Sequence, residues 1–207
     1  MNIKVTTLKE SPFSVTDIVE LMHSSFKEHI EEGLCFTCST MDADQFAAKT
    51  ANSIVVVAWD EETDNLLGTA TVTLNKDPKG IVYGYNEYLA VSPSAKRLGI
   101  GTKLLEKRID IIIDDAGQYV MSDTAVGAKS SVSWHLKNGF KIIGLCSYAS
   151  TNYYSYLFRK QIVPSKKWDS RLYCAIRFRI SSMVVKAKYH KNGTLTSFGS
   201  LVKKVRR

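Results

Sequence analysis

The sequence predicts an α/β chain of the α+β kind, a mixed, mostly antiparallel sheet with helices packed on it, followed by a basic extension. Three observations predict it. β-Rich runs at 53–62 and 66–75 are separated by the turn residues Thr63, Asp64 and Asn65, and a third run at 80–91 follows, which is the pattern of an antiparallel meander. The third run passes through Pro93 into a helix and then into another β-rich run at 118–125, so the strands flanking that helix pair in parallel if the crossover has the usual right hand. From Arg159 onward the chain carries 14 Lys+Arg against the single acid Asp169, which sets its end apart.

Each element has a local reason. Residues 3–10, IKVTTLKE, alternate and carry Ile3 and Val5, so they read as a first strand. A helix begins after Ser14, whose hydroxyl caps the early amides while Asp17 adds negative charge to the first turn; Ile18, Leu21, Met22 and Phe26 line one face. The loop EEGLCFTCSTM leads to a second helix at about 42–51. After the meander, Leu105, Ile109, Ile112, Ile113 and Ala116 recur at helical spacing, with Gly117 placed to end the helix. QYVMSDTA is the next strand. A short helix at 129–137 stops at Asn138-Gly139, and FKIIGLCSY and NYYSYLFRKQI are the last two strands. The order is β-α-α-β-β-β-α-β-α-β-β.

The 207 residues, 44% of them hydrophobic, suit one large domain at 1–162 with an extension at 163–207. Cys35, Cys38, Cys146 and Cys174 are few and mostly scattered, the usage of reduced thiols. The N-terminus has no apolar signal core and no segment approaches the roughly 20 apolar residues of a bilayer span. A cytoplasmic location is expected, with peripheral membrane contact as the alternative that the extension offers. The formal net charge of +8 is uneven, since residues 1–158 hold 14 basic and 19 acidic side chains.

Residues 93–102 join three physical features. Pro93 helps terminate the strand because it cannot donate a ladder hydrogen bond. Gly99 and Gly101 permit close backbone approach and unusual φ values. The amides that open the helix are unsatisfied donors at the positive end of its dipole, with Lys96 and Arg97 adding charge, so the turn reads as a phosphate site. It has neither the dinucleotide G-x-G-x-x-G spacing nor the Walker ending, and an ordinary helix start is the alternative.

LAVSPSAKRLGIGTKLLEKRI resembles the acyl-coenzyme A binding motif of the GNAT acyltransferase superfamily, a strand ending V-x-P followed by a G-x-G turn and Leu-Leu on the helix. Downstream, SVSWHLKNGFKIIG resembles that family's second signature. The resemblance implies a mixed, mostly antiparallel sheet with helices on both faces, acetyl-coenzyme A as acyl donor, and transfer of its acetyl group to a primary amine by direct attack. It implies that the amides of Arg97, Leu98, Gly99, Ile100, Gly101 and Thr102 take the pyrophosphate, with Lys96 beside them. Leu89, Ala90 and Val91 would pair with the pantetheine arm like an extra strand, and an amide near Val91 would face the thioester oxygen. The chain departs from the pattern at Lys96, where the family has Arg or Gln, at Ala128, where many members have Asn, and at His135, the place of the family's tyrosine acid.

An amine of pKa near 10.4 must lose a proton before it attacks. Glu87, four residues before Val91, is where relatives often carry a glutamate base, and strand alternation puts it on a face with Tyr85, Leu89 and Val91. The alternative for Glu87 is a solvated strand carboxylate. His135 is chemically competent to protonate the departing thiolate, against a packing role beside Trp134; Tyr153 and Tyr154 are further donors. Cys35 and Cys38 with His23 or His29 lack a second pair at zinc spacing, so no metal is expected.

Residues 171–188 place Leu172, Ile176, Ile180, Met183 and Ala187 on one helical face, with Arg179 and Lys186 on one flank and Arg177 and Lys188 on the other. The stripe is expected to pack on the domain or on a second subunit of a homodimer, leaving the flanks to meet an anionic surface. Nucleic acid is not an expected partner, since no stacking-aromatic module is present. Two rivals to the enzyme are a polyanion- or membrane-surface-binding module and a family member that binds the coenzyme without catalysis.

Overall fold

Asp64 adopts a φ of 52°, the left-handed geometry that an Asp tolerates in a tight turn. It lies between β2 (Ile54–Asp60) and β3 (Asn65–Lys76) in a computed structural model that describes residues 2–149 and 151–205, with side chains through Leu201. β1 (Ile3–Thr7) and β4 (Val82–Val91) flank this hairpin antiparallel, completing the meander. β1 stops short of the expected 3–10 span. The Glu10 carboxylate accepts from the Thr7 N–H and hydroxyl at 3.2 and 2.9 Å, folding Leu8–Glu10 into a 3-10 turn.

From β4 the chain crosses through α3 (Ile100–Asp114) to β5 (Tyr119–Ala125), which pairs with β4 in parallel. α4 (Lys129–Lys137), β6 (Lys141–Ser147) and β7 (Tyr154–Gln161) follow, and the sheet order is β1-β2-β3-β4-β5-β7-β6. Helices cover both faces. Ile100, Leu104, Leu105 and Ile112 of α3 pack on Val56, Ala70, Val72 and Val120. On the opposite face Ile18 and Met22 of α1 (Val15–Glu31) and Phe46 of α2 (Ala43–Lys49) meet Val57 and Trp59. Each buried side chain of this size contributes about 1.5–3 kcal/mol.

The local signals at the helix ends hold, with one shift. Ser14 and Asp17 form a reciprocal capping box at the start of α1. At the end of α3 the left-handed residue is Ala116, φ 56°, while the Gly117 N–H closes on the Ile112 carbonyl at 2.7 Å. A Cβ on Gly117 would lie 2.7 Å from that carbonyl oxygen, which is why glycine stands there.

The extension forms α5 (Lys166–Asp169), α6 (Arg171–Lys188) and α7 (Ser197–Val205). α6 spans the expected residues but presents a different face. The Ser181 hydroxyl accepts from the Leu145 N–H at 3.1 Å and donates to the Leu145 carbonyl at 3.3 Å, and Cys174, Phe178 and Val185 share the inward side. The predicted apolar stripe is therefore not packed on the domain. Leu172, Ile176, Ile180 and Met183 are 71%, 50%, 59% and 73% exposed.

Candidate active site

Thr69 faces Ala90 and Thr71 faces Glu87 across β3–β4, so Tyr88 and Leu89 together oppose Ala70. This is a β-bulge, and Tyr88 accommodates it with a φ of 50°. Thr69 and Thr71 lie on one face of β3, hence Glu87 and Ala90 lie on one face of β4. Leu89 and Val91 pack on the α3 side instead. Glu87 thus shares a face with Tyr85, as expected, but not with Leu89 and Val91; the extra residue reverses the alternation beyond it.

β4 pairs with β5 only from Tyr83↔Tyr119 to Asn86↔Ser122. Beyond that the strands part, leaving the β4 backbone from Glu87 to Val91 with no strand on the β5 side among the described residues. A cavity of about 950 Å³ opens along the split. At one end lies the turn before α3. Arg97 and Gly99 take φ values of 68° and 78°, a left-handed alternation that turns neighbouring N–H groups into one concavity. The amides of Arg97, Gly99, Ile100 and Gly101 have no acceptor among the described residues. Those of Leu98 and Thr102 are directed to the Ala95 and Gly99 carbonyls at 3.4 and 3.0 Å. Lys96 is ion-paired with Glu28, which ties the turn to α1. A Cβ on Gly101 would lie 3.2 Å from Trp134 Nε1, so the indole closes over this glycine.

His135 lies on the α3 face, with Glu87 on the other, and both reach the cavity. Its ring stacks on Phe158 at 4.4 Å, and it is 3% exposed. Nδ1 is 2.8 Å from the Ser131 carbonyl and must donate to it, so Nε2 is an acceptor; it lies 3.0 Å from the Ser122 hydroxyl, whose one hydrogen also reaches the Asn86 carbonyl at 3.2 Å. Burial pushes its pKa down to about 4, so the ring is neutral at pH 7. The structure does not bring the expected acid and base to one side of the sheet.

On the Glu87 face stands a group that the sequence reading missed. Asp123 of β5 accepts a hydrogen bond from the Tyr85 hydroxyl at 2.8 Å, and the Tyr148 hydroxyl is 3.4 Å from that of Tyr85. Burial raises the Asp123 pKa; partial burial first and the Asp123 charge second raise that of Glu87. An acid in the middle of QYVMSDTA, a strand with a strand on either side, was the available signal. Phe26, Phe36 and Tyr153 form an aromatic wall nearby, with centroids 5.0 and 5.1 Å apart. Tyr154 is spent elsewhere, donating to the Tyr189 carbonyl at 2.8 Å. No group of three or more His, Cys, Asp or Glu among the described residues is arranged to hold a metal ion.

The sequence profile of the Acetyltransferase (GNAT) family matches residues 16–140, more than half of the chain. The chain belongs to this family. Solved GNAT-like structures share the fold. A chain of the NatC complex bound to Gag peptide and CoA aligns at 16% identity and a TM-score of 0.58, covering 79% of this chain and 100% of that one. The paia N-acetyltransferase of Thermoplasma acidophilum in complex with coenzyme A aligns at 16% identity and TM-score 0.57, covering 78% and 99%. The yncA protein of Salmonella typhimurium with its cofactor acetyl-CoA aligns at 14% identity and TM-score 0.59, covering 82% and 99%. No curated protein matches in sequence. For this GNAT chain the profile spans α1 through α4, the elements that frame the split cavity.

Proposed function

We propose that the protein moves a short acyl group, acetyl in the simplest case, from its coenzyme A thioester to a primary amine by direct attack. One observation carries this reading: a single cavity joins the four free amides of the α3 turn to the unpaired β4 backbone at Glu87–Val91. The diphosphate is received by the amides of Arg97, Gly99, Ile100 and Gly101, at the positive end of α3 and beside Arg97 and Lys96. The amides of the pantetheine arm add to the open edge at Leu89–Val91 as a strand would. A β4 N–H there faces the thioester oxygen and stabilises the charge that develops on it. The coenzyme-bound neighbours of the same fold support this donor class.

The amine enters on the side of Glu87 and Asp123, two carboxyl groups that attract a cation and take its proton, directly or through water. The amine nitrogen bonds the thioester carbon, the carbon–sulfur bond breaks, and the thiolate is protonated to leave as coenzyme A. His135, neutral, with its one N–H given to the Ser131 carbonyl and Nε2 an acceptor beside Ser122, is assigned to a positioning role rather than to proton donation. Tyr148, hydrogen-bonded into the Tyr85–Asp123 group, and Tyr153 are the phenols that the cavity offers as donors. The test is a panel of small amines, amino sugars and peptide amines with acetyl-coenzyme A, following free thiol. Amine-dependent release supports the reading, and a folded protein that neither binds coenzyme A nor releases thiol overturns it.

A second reading concerns the extension. The exposed stripe of α6 is flanked by Arg177, Arg179, Lys186 and Lys188 and adjoins no acid of its own helix, the make-up of a helix lying on an anionic lipid surface. No helix among the described residues is long and apolar enough to cross a membrane.

A further inference from the structure

The closed end of the cavity carries polar groups that transfer of an acetyl group leaves unused. Asn86, the last β4 residue paired with β5, is 3% exposed, yet neither end of its side-chain amide has a hydrogen-bond partner among the described residues. Arg108 of α3, 1% exposed, donates from Nε to the Leu104 carbonyl at 3.1 Å and from Nη1 to the Thr71 carbonyl at 3.4 Å. Three of its five N–H groups have no acceptor among the described residues. No carboxylate among the described residues forms an ion pair with it. Thr71 precedes Val72, the residue facing Asn86 across β3–β4, so the guanidinium and the amide belong to the same stretch of the sheet. Both line the cavity, with Ser122 and His135 completing that wall.

A buried cation without a counter-charge is strongly unfavourable, and chains of ordinary composition avoid it unless something binds there. Desolvation lowers the Arg108 pKa to about 9, which still leaves it protonated at neutral pH. Its place along the cavity indicates what it meets. Arg108 is two helical turns, about 12 Å, along α3 from Ile100. Asn86 precedes the β4 bulge. Both therefore lie deeper than the diphosphate turn and beyond the open β4 edge, where the far end of an acyl group arrives if the thioester sits at the split.

We propose that this end of the cavity receives a carboxylate carried on the acyl group, so that a short dicarboxylic acyl thioester of coenzyme A is favoured over acetyl-coenzyme A. The inference rests on the coenzyme placement proposed above. A carboxylate matches the fork of Arg108 with two parallel hydrogen bonds and leaves a lone pair for Asn86 Nδ2. A methyl group in the same place leaves amide and guanidinium unpaired, the situation in which a hydrogen-bonding pocket discriminates most strongly. The transfer is otherwise unchanged: the C–N bond forms, the C–S bond breaks, the amine proton passes to the carboxylate side, coenzyme A leaves as the thiol, and the distal carboxylate is untouched.

Calorimetry with free coenzyme A, acetyl-coenzyme A and succinyl- or malonyl-coenzyme A tests this on the intact chain. The expected result is that one of the dicarboxylic thioesters binds at least about tenfold more tightly than acetyl-coenzyme A. R108M should reduce that ratio toward one, and R108K should restore part of it. Equal affinities for all thioesters in the wild type, with coenzyme A bound, overturn the inference while the coenzyme reading stands; water then satisfies Arg108. Failure to bind any of these ligands overturns both. The wild-type comparison decides even if a variant does not fold.

Discussion

Tyr85 donates its phenolic hydrogen to Asp123 at 2.8 Å, across the point where β4 and β5 part. The bond holds a carboxyl group on the Glu87 face of the cavity, and the Asp123 charge makes ionisation of Glu87 harder. Glu87, raised by partial burial and by the Asp123 charge, can take a proton only when ionised. Turnover should therefore rise with pH through a value above the usual glutamate range. Asp123→Asn removes the like charge and should move this acid limb to lower pH, while Glu87→Gln should lower kcat/KM about 10²-fold or more and remove the limb. A pH–rate profile on a good amine checks both, and an unmoved limb in Asp123→Asn refutes the coupling.

The turn before α3 leads to a prediction about affinity. Gly99 sits at φ 78°, and Gly101 has Trp134 Nε1 only 3.2 Å from where a Cβ would be. Gly101→Val should displace the indole and weaken coenzyme A binding about tenfold, and Gly99→Ala should cost about 1–2 kcal/mol in the free fold as well. Calorimetry beside a melting curve separates the two effects. Unchanged affinity in a folded Gly101→Val protein would place the diphosphate elsewhere.

His135 should reveal itself through stability. Its folded pKa of about 4 lies below the unfolded value near 6.5, so the unfolded chain binds more protons between these limits. Stability should be fully present above pH 6.5 and fall as the pH drops toward 4, by at most about 3 kcal/mol from this group. His135→Gln should flatten that slope in denaturant titrations while the acid limb of turnover stays in place. A turnover profile that loses its basic limb in this variant would instead return His135 to the acid role.

Local features were legible because neighbouring residues decide them. Ser14 with Asp17 capped α1, Thr63–Asn65 made the hairpin, and Gly99-Ile100-Gly101 opened α3. The bulge was not legible, because it falls on Tyr88 and Leu89, residues without the glycine that usually marks a positive φ. That one insertion decides which face Glu87 shares. Asp123 finds Tyr85 only through a parallel pair 38 residues apart, which spacing does not reveal. The inward face of α6 was misread for a similar reason. Apolar periodicity favoured Ile176 and Ile180, but the seat is set by Ser181 on the backbone of Leu145, with Gly144 leaving room.

That seat gives the extension its own test. Ile180→Glu with Met183→Glu alters two side chains 59% and 73% exposed, so thermal stability should hold to within about 0.5 kcal/mol per site. If the stripe were packed on the domain, each change would cost several times that amount. The wild type should sediment with vesicles containing anionic lipid at low salt, release as the salt approaches 1 M, and ignore neutral vesicles. The double variant should lose most of the vesicle binding while keeping thiol-release activity on soluble amines. Absence of vesicle binding at low salt would end the membrane reading, and a concentration-dependent dimer lost in the same variant would show that a second copy covers the stripe instead.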